Sequence, residues 1–160
     1  VGKVREGNRD NQTALSERKI PAVTTQVPPG RTVAIIGASR DRTKYGNLAV
    51  REHVARGDQV FPINPNAKTV EGLRAYARLR DVPIDRIKRI ALYVPATIGV
   101  SLLQEIADKR PDEVWVNPGS ESEALLAEAT RLQLPVIQAC GLVNLRATRP
   151  LTNAADGPED

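Results

Sequence analysis

Five short apolar runs recur along the chain, at residues 33–36, 60–63, 90–94, 114–116 and 136–139. Each is continuous rather than alternating in polarity, which is how strands read when both of their faces are covered. The stretches between them mostly carry apolar residues at helical spacing, and no hairpin signal interrupts the series. Strand and helix in regular alternation predict an α/β fold: a doubly wound, five-stranded parallel sheet with helices on both faces.

The helices have readable ends. Asn47 is placed to cap a helix running to about Arg56, with Gly57 as its left-handed stop. A second helix covers about 97–109, with Leu102, Leu103 and Ile106 on one face and Pro111 closing the segment. Ser120 and Glu123 have capping-box spacing ahead of Leu125, Ala129 and Leu132, and Pro135 follows. A weaker helical pattern spans 70–79. Residues 1–28 mix charges with Asn, Gln and Thr without periodicity and read as a flexible N-terminal extension. The globular domain is expected over 29–150, and 151–160 form an acidic C-terminal tail.

Composition narrows the chemistry. The 160 residues are 41% hydrophobic but only 3% aromatic, so Val, Ile, Leu and Ala build the core. The net charge of +4 is uneven: residues 31–150 hold 18 Lys and Arg against 13 acids, and the last ten hold three acids and no base. No dense basic stripe with interleaved aromatics occurs, so a small polyphosphate ligand accounts for the bias and no nucleic-acid partner is expected. One cysteine, Cys140, and one histidine, His53, make neither an internal disulfide nor, by spacing, a metal site. No run approaches the roughly 18 apolar residues of a membrane span. A cytoplasmic protein without membrane contact is the expectation, and no protein partner is specified.

The stretch TVAIIGASRDRTKYGN, from Thr32 to Asn47, leads from the first strand into the first helix. Such a loop presents free backbone N–H groups and the positive end of the helix dipole, a combination that suits an anion. Gly37 lets the backbone turn, Ser39 adds a hydroxyl, and Arg40, Arg42 and Lys44 add charge. The bland alternative is a solvated turn. A dinucleotide fingerprint would require G-x-G-x-x-G here and an acid at the end of the second strand to hold a ribose hydroxyl. This chain has Ser39 at the second glycine position and FPINPN where the acid should stand, which disfavours NAD. Asn64 and Pro65, within NPN, read both as a tight turn and as a ligand-facing edge. No P-loop motif occurs.

The segments VAIIGASRDRTKYGN, GDQVFPINPN, IALYVPAT, VWVNPGSESEALLAEA and LPVIQACGLV together resemble the stand-alone CoA-binding domain family, whose members are similar to the Rossmann-like CoA-binding domain of the succinyl-CoA synthetase alpha subunit. The resemblance spans roughly 29–146. It implies that Ala38, Ser39 and Arg40 wrap CoA phosphates, and the strand-loop-helix context, the missing ribose acid and the YVP segment together make Ser39 and Arg40 the side chains expected to matter most. It further implies that Tyr93, Val94 and Pro95 line the adenine side, and that backbone at Val116, Asn117 and Pro118, beside Gly119, meets the cofactor. A synthetase lysine on the second strand aligns with Gln59, so that cationic contact is missing here.

The resemblance implies a CoA or acyl-CoA binding protein: a carrier, sensor or regulatory module with no catalytic machinery of its own. The synthetase uses a phosphorylated histidine in a further domain, and nothing after Arg146 is long enough to supply one. His53, between Glu52 and Val54, reads as a surface or half-buried structural residue. No Ser-His-Asp set and no carboxylate pair has support, so no catalytic residue is assigned. Cys140 has two readings, a small buried apolar residue or a thiol near the pantetheine end of CoA. The alternative function is an NAD(P)-dependent or other nucleotide-dependent small enzyme with an atypical phosphate loop.

Overall fold

The computed structural model describes residues 30–147. Its centre is a parallel sheet of five strands, β1 (Thr32–Ile36), β2 (Gln59–Ile63), β5 (Arg89–Leu92), β6 (Glu113–Val116) and β7 (Val136–Gln138), in the order β2-β1-β5-β6-β7. The first four of these strands bury nearly every residue. Helices α1 (Tyr45–Ala55) and α4 (Gly141–Ala147) cover one face and α2 (Ala96–Asp108) and α3 (Glu123–Arg131) the other. Alternate strand residues therefore feed two cores: Ala34, Ile36, Ile90 and Leu92 pack with Leu103, Ile106 and Leu125, while Val33, Ile35 and Ala91 pack with Val50, Trp115 and Leu145. This is the doubly wound α/β sheet that the apolar runs predict. The extension 1–28, the tail 151–160 and the ends of the 29–150 domain fall outside the described residues.

Three local expectations are corrected. The segment 70–79 is not helical: it forms a two-stranded hairpin, β3 (Thr69–Val70) with β4 (Leu73–Arg74), followed by a 3-10 turn at Leu79–Asp81. Glu71 and Gly72 both have positive φ, 50° and 76°, as a two-residue type I′ turn demands, and this turn outweighs the helical spacing of Val70 and Leu73. Asn47 is not the cap of α1 but lies inside its first turn, fully buried, after Lys44 in extended conformation. Ser122, not Ser120, caps α3, accepting from the backbone N–H of Leu125 at 3.1 Å. Ser120 is instead buried, its hydroxyl turned toward the carbonyls of Val94 (2.6 Å) and Leu92 (3.2 Å) and not to the start of α3. The short helix α4, which no periodicity announced, completes the fold.

Candidate functional site

The strand order reverses between β1 and β5: the chain leaves β1 toward β2 on one side and reaches β6 from β5 on the other. Connections leaving such neighbours in opposite directions open a crevice at the carboxyl edge of the sheet. Here it is a cleft of about 590 Å³ whose walls include Gly37, Ala38, Ser39 and Lys44 after β1, Asn64 and Pro65 after β2, and Tyr93 and Val94 after β5. Eight of the fourteen residues singled out from the sequence thus meet in one cavity.

Glycine is required at the floor of this cleft. Gly37 has φ +91°, and a Cβ on it would lie 2.6 Å from the Tyr93 carbonyl oxygen; a Cβ on Gly46 would lie 2.1 Å from the Gly37 carbonyl. The loop is pressed between β5 and the start of α1, and side chains hold it there. Asn47 Nδ2 donates to the Ser39 carbonyl (2.8 Å) and to Glu71 (2.9 Å), and Asn64 Nδ2 donates to the Ala38 carbonyl at 2.9 Å. Asp41 takes Thr43 N–H (2.9 Å) and its hydroxyl (2.7 Å), and these bonds hold its carboxyl below the usual range. Ser39 Oγ accepts from Asp41 N–H at 3.0 Å, which leaves its proton to donate elsewhere. Arg42 pairs with Glu71 at 3.1 Å and does not line the cleft. Arg40 and Lys44 are exposed and have no carboxylate partner among the described residues.

The remaining expected residues lie further round the edge. Asn117 and Pro118 line a second cleft, of about 360 Å³, with Tyr45, Leu48, Cys140 and Val143. Tyr93 borders both clefts. Its phenol is pushed above its ordinary value by burial, with Cys140 adding to the effect, so it stays protonated. The Asn117 side chain is committed internally, donating to the Leu92 carbonyl (3.0 Å) and accepting from Gly141 N–H (2.8 Å). Val116 borders a small separate hollow with Pro118, and Arg40, Pro95 and Gly119 line none of these cavities. Pro95 stands at the start of α2, and Gly119 N–H donates to Glu121. Cys140 is half-buried.

Three further positions bear on the site. Gln59 opens β2 at the amino edge, the opposite end from the cleft, so its lack of charge does not change the cleft. His53 is fully buried rather than half-exposed, 2.8 Å from Asp58 and also near the amino edge. Ala77, Arg78, Leu79, Ile98 and Leu102 join the first cleft unannounced. Ile98 and Leu102 are one helical turn apart on α2, a signal that was present in the spacing. The other three follow the hairpin and were concealed by the helical reading of 70–79. Among the described residues no group of three acidic, cysteine or histidine side chains is arranged to hold a metal, and no helix is long and apolar enough to cross a membrane.

Comparison with known proteins agrees with this architecture. A family model described as CoA binding domain matches residues 31–146. Over 107 residues the chain is 33% identical to the ADP-forming acetate–CoA ligase II of Archaeoglobus fulgidus, covering 62% of this chain and 16% of that one. The ADP-forming acetate–CoA ligase of Methanocaldococcus jannaschii is 30% identical over 79 residues, 49% of this chain and 11% of its own. The chain thus spans 16% or less of the length of these curated relatives. A conserved hypothetical protein from Pyrococcus furiosus has a similar structure, with TM-score 0.65 and 30% identity, over 74% of this chain and 99% of that one. The dinucleotide forming acetyl-coenzyme A synthetase 1 of Ca. Korarchaeum cryptofilum, in complex with phosphate and ADP, has TM-score 0.59 and 25% identity, over 70% of this chain and 26% of that one. The chain belongs to the CoA binding domain family.

Proposed function

We propose that this family member binds CoA or an acyl-CoA at the carboxyl edge of its sheet, with the nucleotide in the cleft between the β1 and β5 loops. The observation that carries the reading is the loop from Gly37 to Lys44, whose backbone turns at the floor of a switch-point cleft and whose exposed Lys44 lines that cleft. Phosphate at such a position meets free N–H groups and a cation together. Ser39 and Arg40 are the further loop side chains assigned to phosphate. The second cleft, lined by Leu48, Leu142 and Val143 and sharing Tyr93, suits the pantetheine end or an acyl group.

We read the chain as a cytoplasmic carrier, sensor or regulatory module. His53, the one histidine, is buried at the far edge of the sheet and does not face the cleft. The chain alone is therefore expected to form no acyl-CoA from ATP, CoA and carboxylic acids, and turnover would overturn that part of the reading. Parallel calorimetry with CoA, acetyl-CoA, NAD and NADP tests the ligand. Binding of CoA or acetyl-CoA is expected. Absence of both, or tighter binding of NAD, would overturn it.

A further inference from the structure

The end of β2 is where a doubly wound nucleotide site reads the ribose: an acid there takes a hydroxyl, and an arginine nearby takes a phosphate on the ring. Here β2 closes on Ile63 and is followed by Asn64, Pro65 and Asn66, with no acid among them. Asn64 donates one amide proton to the Ala38 carbonyl (2.9 Å) and accepts from Asn66 N–H (2.7 Å), which fixes its side chain and leaves it neutral hydrogen bonds only. The segment after the hairpin comes back onto β2: Tyr76 N–H donates to the Pro62 carbonyl and Asn64 N–H to the Tyr76 carbonyl, both at 2.9 Å. Two residues further on, Arg78 enters the wall of the cleft beside Asn64 and Pro65.

Arg78 is held there. Its Nη2 lies 2.8 Å from Glu105 Oε1 on α2, an oxygen that also accepts from Arg80 Nη2 at 2.7 Å. Glu105 is itself nine-tenths buried, so the anchor is fixed while the Arg78 side chain is 55% exposed. Two guanidinium groups share one carboxylate, which leaves one positive charge in surplus. Arg80 borders a different pocket and is further balanced by Asp81 and Asp108. The surplus therefore faces the nucleotide cleft through Arg78, whose remaining N–H groups have no partner among the described residues.

We propose that Arg78, anchored by Glu105 beside the carboxyl end of β2, receives the phosphate carried on the ribose of the bound adenine nucleotide, and so makes the site distinguish CoA from dephospho-CoA. The inference rests on the CoA reading above and adds a recognition residue to it. A ribose phosphate is an exposed dianion, and a guanidinium with free N–H groups meets it by charge-assisted bonds.

The test is calorimetry of the full chain and its variants with CoA, dephospho-CoA, NADP and NAD. The unaltered protein is expected to favour CoA over dephospho-CoA by about tenfold or more. In Arg78→Ala that preference disappears while dephospho-CoA affinity changes by less than about twofold, within the range of an exposed substitution. Arg78→Lys recovers part of the preference, and Arg80→Ala retains most of it. Equal affinity of the unaltered protein for both forms, or an unchanged preference in a folded Arg78→Ala, would overturn the inference alone. Failure to bind either form would overturn the CoA reading instead. NADP bound in preference to CoA and NAD, and lost in Arg78→Ala, would support the ribose-phosphate role while replacing the nucleotide.

Discussion

At the amino edge of the sheet Arg89 is buried beneath α4, its Nε 2.7 Å from Glu113 and its guanidinium carbon 4.5 Å from the centre of the Trp115 ring. At the carboxyl edge Lys44 and Arg40 stand exposed without a carboxylate partner among the described residues. The same contrast divides the neighbours. Asp58 receives His53 at 2.8 Å and Arg31 at 3.5 Å, and Glu113 also accepts from Trp115 Nε1 at 2.8 Å, so the amino edge is a densely paired polar network, although Arg89 Nη1 is buried there without a partner among the described residues. The carboxyl edge uses its side chains to hold backbone in place and keeps its cations and turn open. Charges that have found partners inside the protein serve stability; charges left open can serve a ligand.

Substitutions at the two edges should therefore separate stability from binding. The largest effect is expected at Arg89. Arg89→Ala leaves Glu113 facing a hollow without its cation, and because that carboxylate is about a third exposed the loss should be about 3 kcal/mol, the lower end for a broken buried pair. Urea unfolding measures this, and CoA affinity by calorimetry should stay within about twofold. A stable Arg89→Ala variant with weakened CoA binding would break the division.

The reverse pattern is expected of Lys44. Lys44→Ala removes an exposed cation from the cleft wall and should weaken CoA binding by about tenfold. Its unfolding midpoint should not move, and added salt should weaken binding to the unaltered protein more than to the variant. Equal salt sensitivity of the two would remove Lys44 from the phosphate contact.

The pH dependence of stability sharpens the picture of the amino edge. Burial lowers the His53 pKa below its ordinary 6.5, against the opposing pull of Asp58. The folded protein then refuses a proton that the unfolded chain accepts below pH 6.5, so unfolding free energy is full above that pH and falls as pH drops toward the folded value. Each unit of pKa difference is worth about 1.4 kcal/mol. The lowered carboxylates Glu105 and Glu113 act in the same direction but only below their ordinary 4.5. Unfolding curves between pH 5 and 7.5 should therefore report His53, and His53→Gln should flatten them.

The smallest expected change is at Ser39. Its hydroxyl already accepts from Asp41 N–H and has one proton to offer, so Ser39→Ala should weaken CoA binding by about fivefold, near 1 kcal/mol. An effect larger than that of Lys44→Ala would mean that the loop reads phosphate through this hydroxyl before its charge.

The sequence by itself determined the parallel sheet and the nature of its first loop. A strand buried on both faces must be apolar along its whole length, and that requirement is local, visible in VAII and VFPI without knowledge of any neighbour. Gly37 was legible for the same reason, since a sharp turn after a strand needs it. What only the tertiary structure decided was how each polar side chain is used. Asn47, Asn117 and Ser120 look like caps or ligand groups in the sequence, yet each is buried and bonded to residues 8 to 28 positions away. The hairpin at 69–74 was hidden because Val70 and Leu73 fit a helix as well as a hairpin, and docking of the returning segment on β2 selected between them. Arg78 follows from that choice. A helix there would have pointed it along a different axis, and only the return of Tyr76 to the end of β2 brings its charge to the cleft, because contacts between distant segments leave no period in the chain.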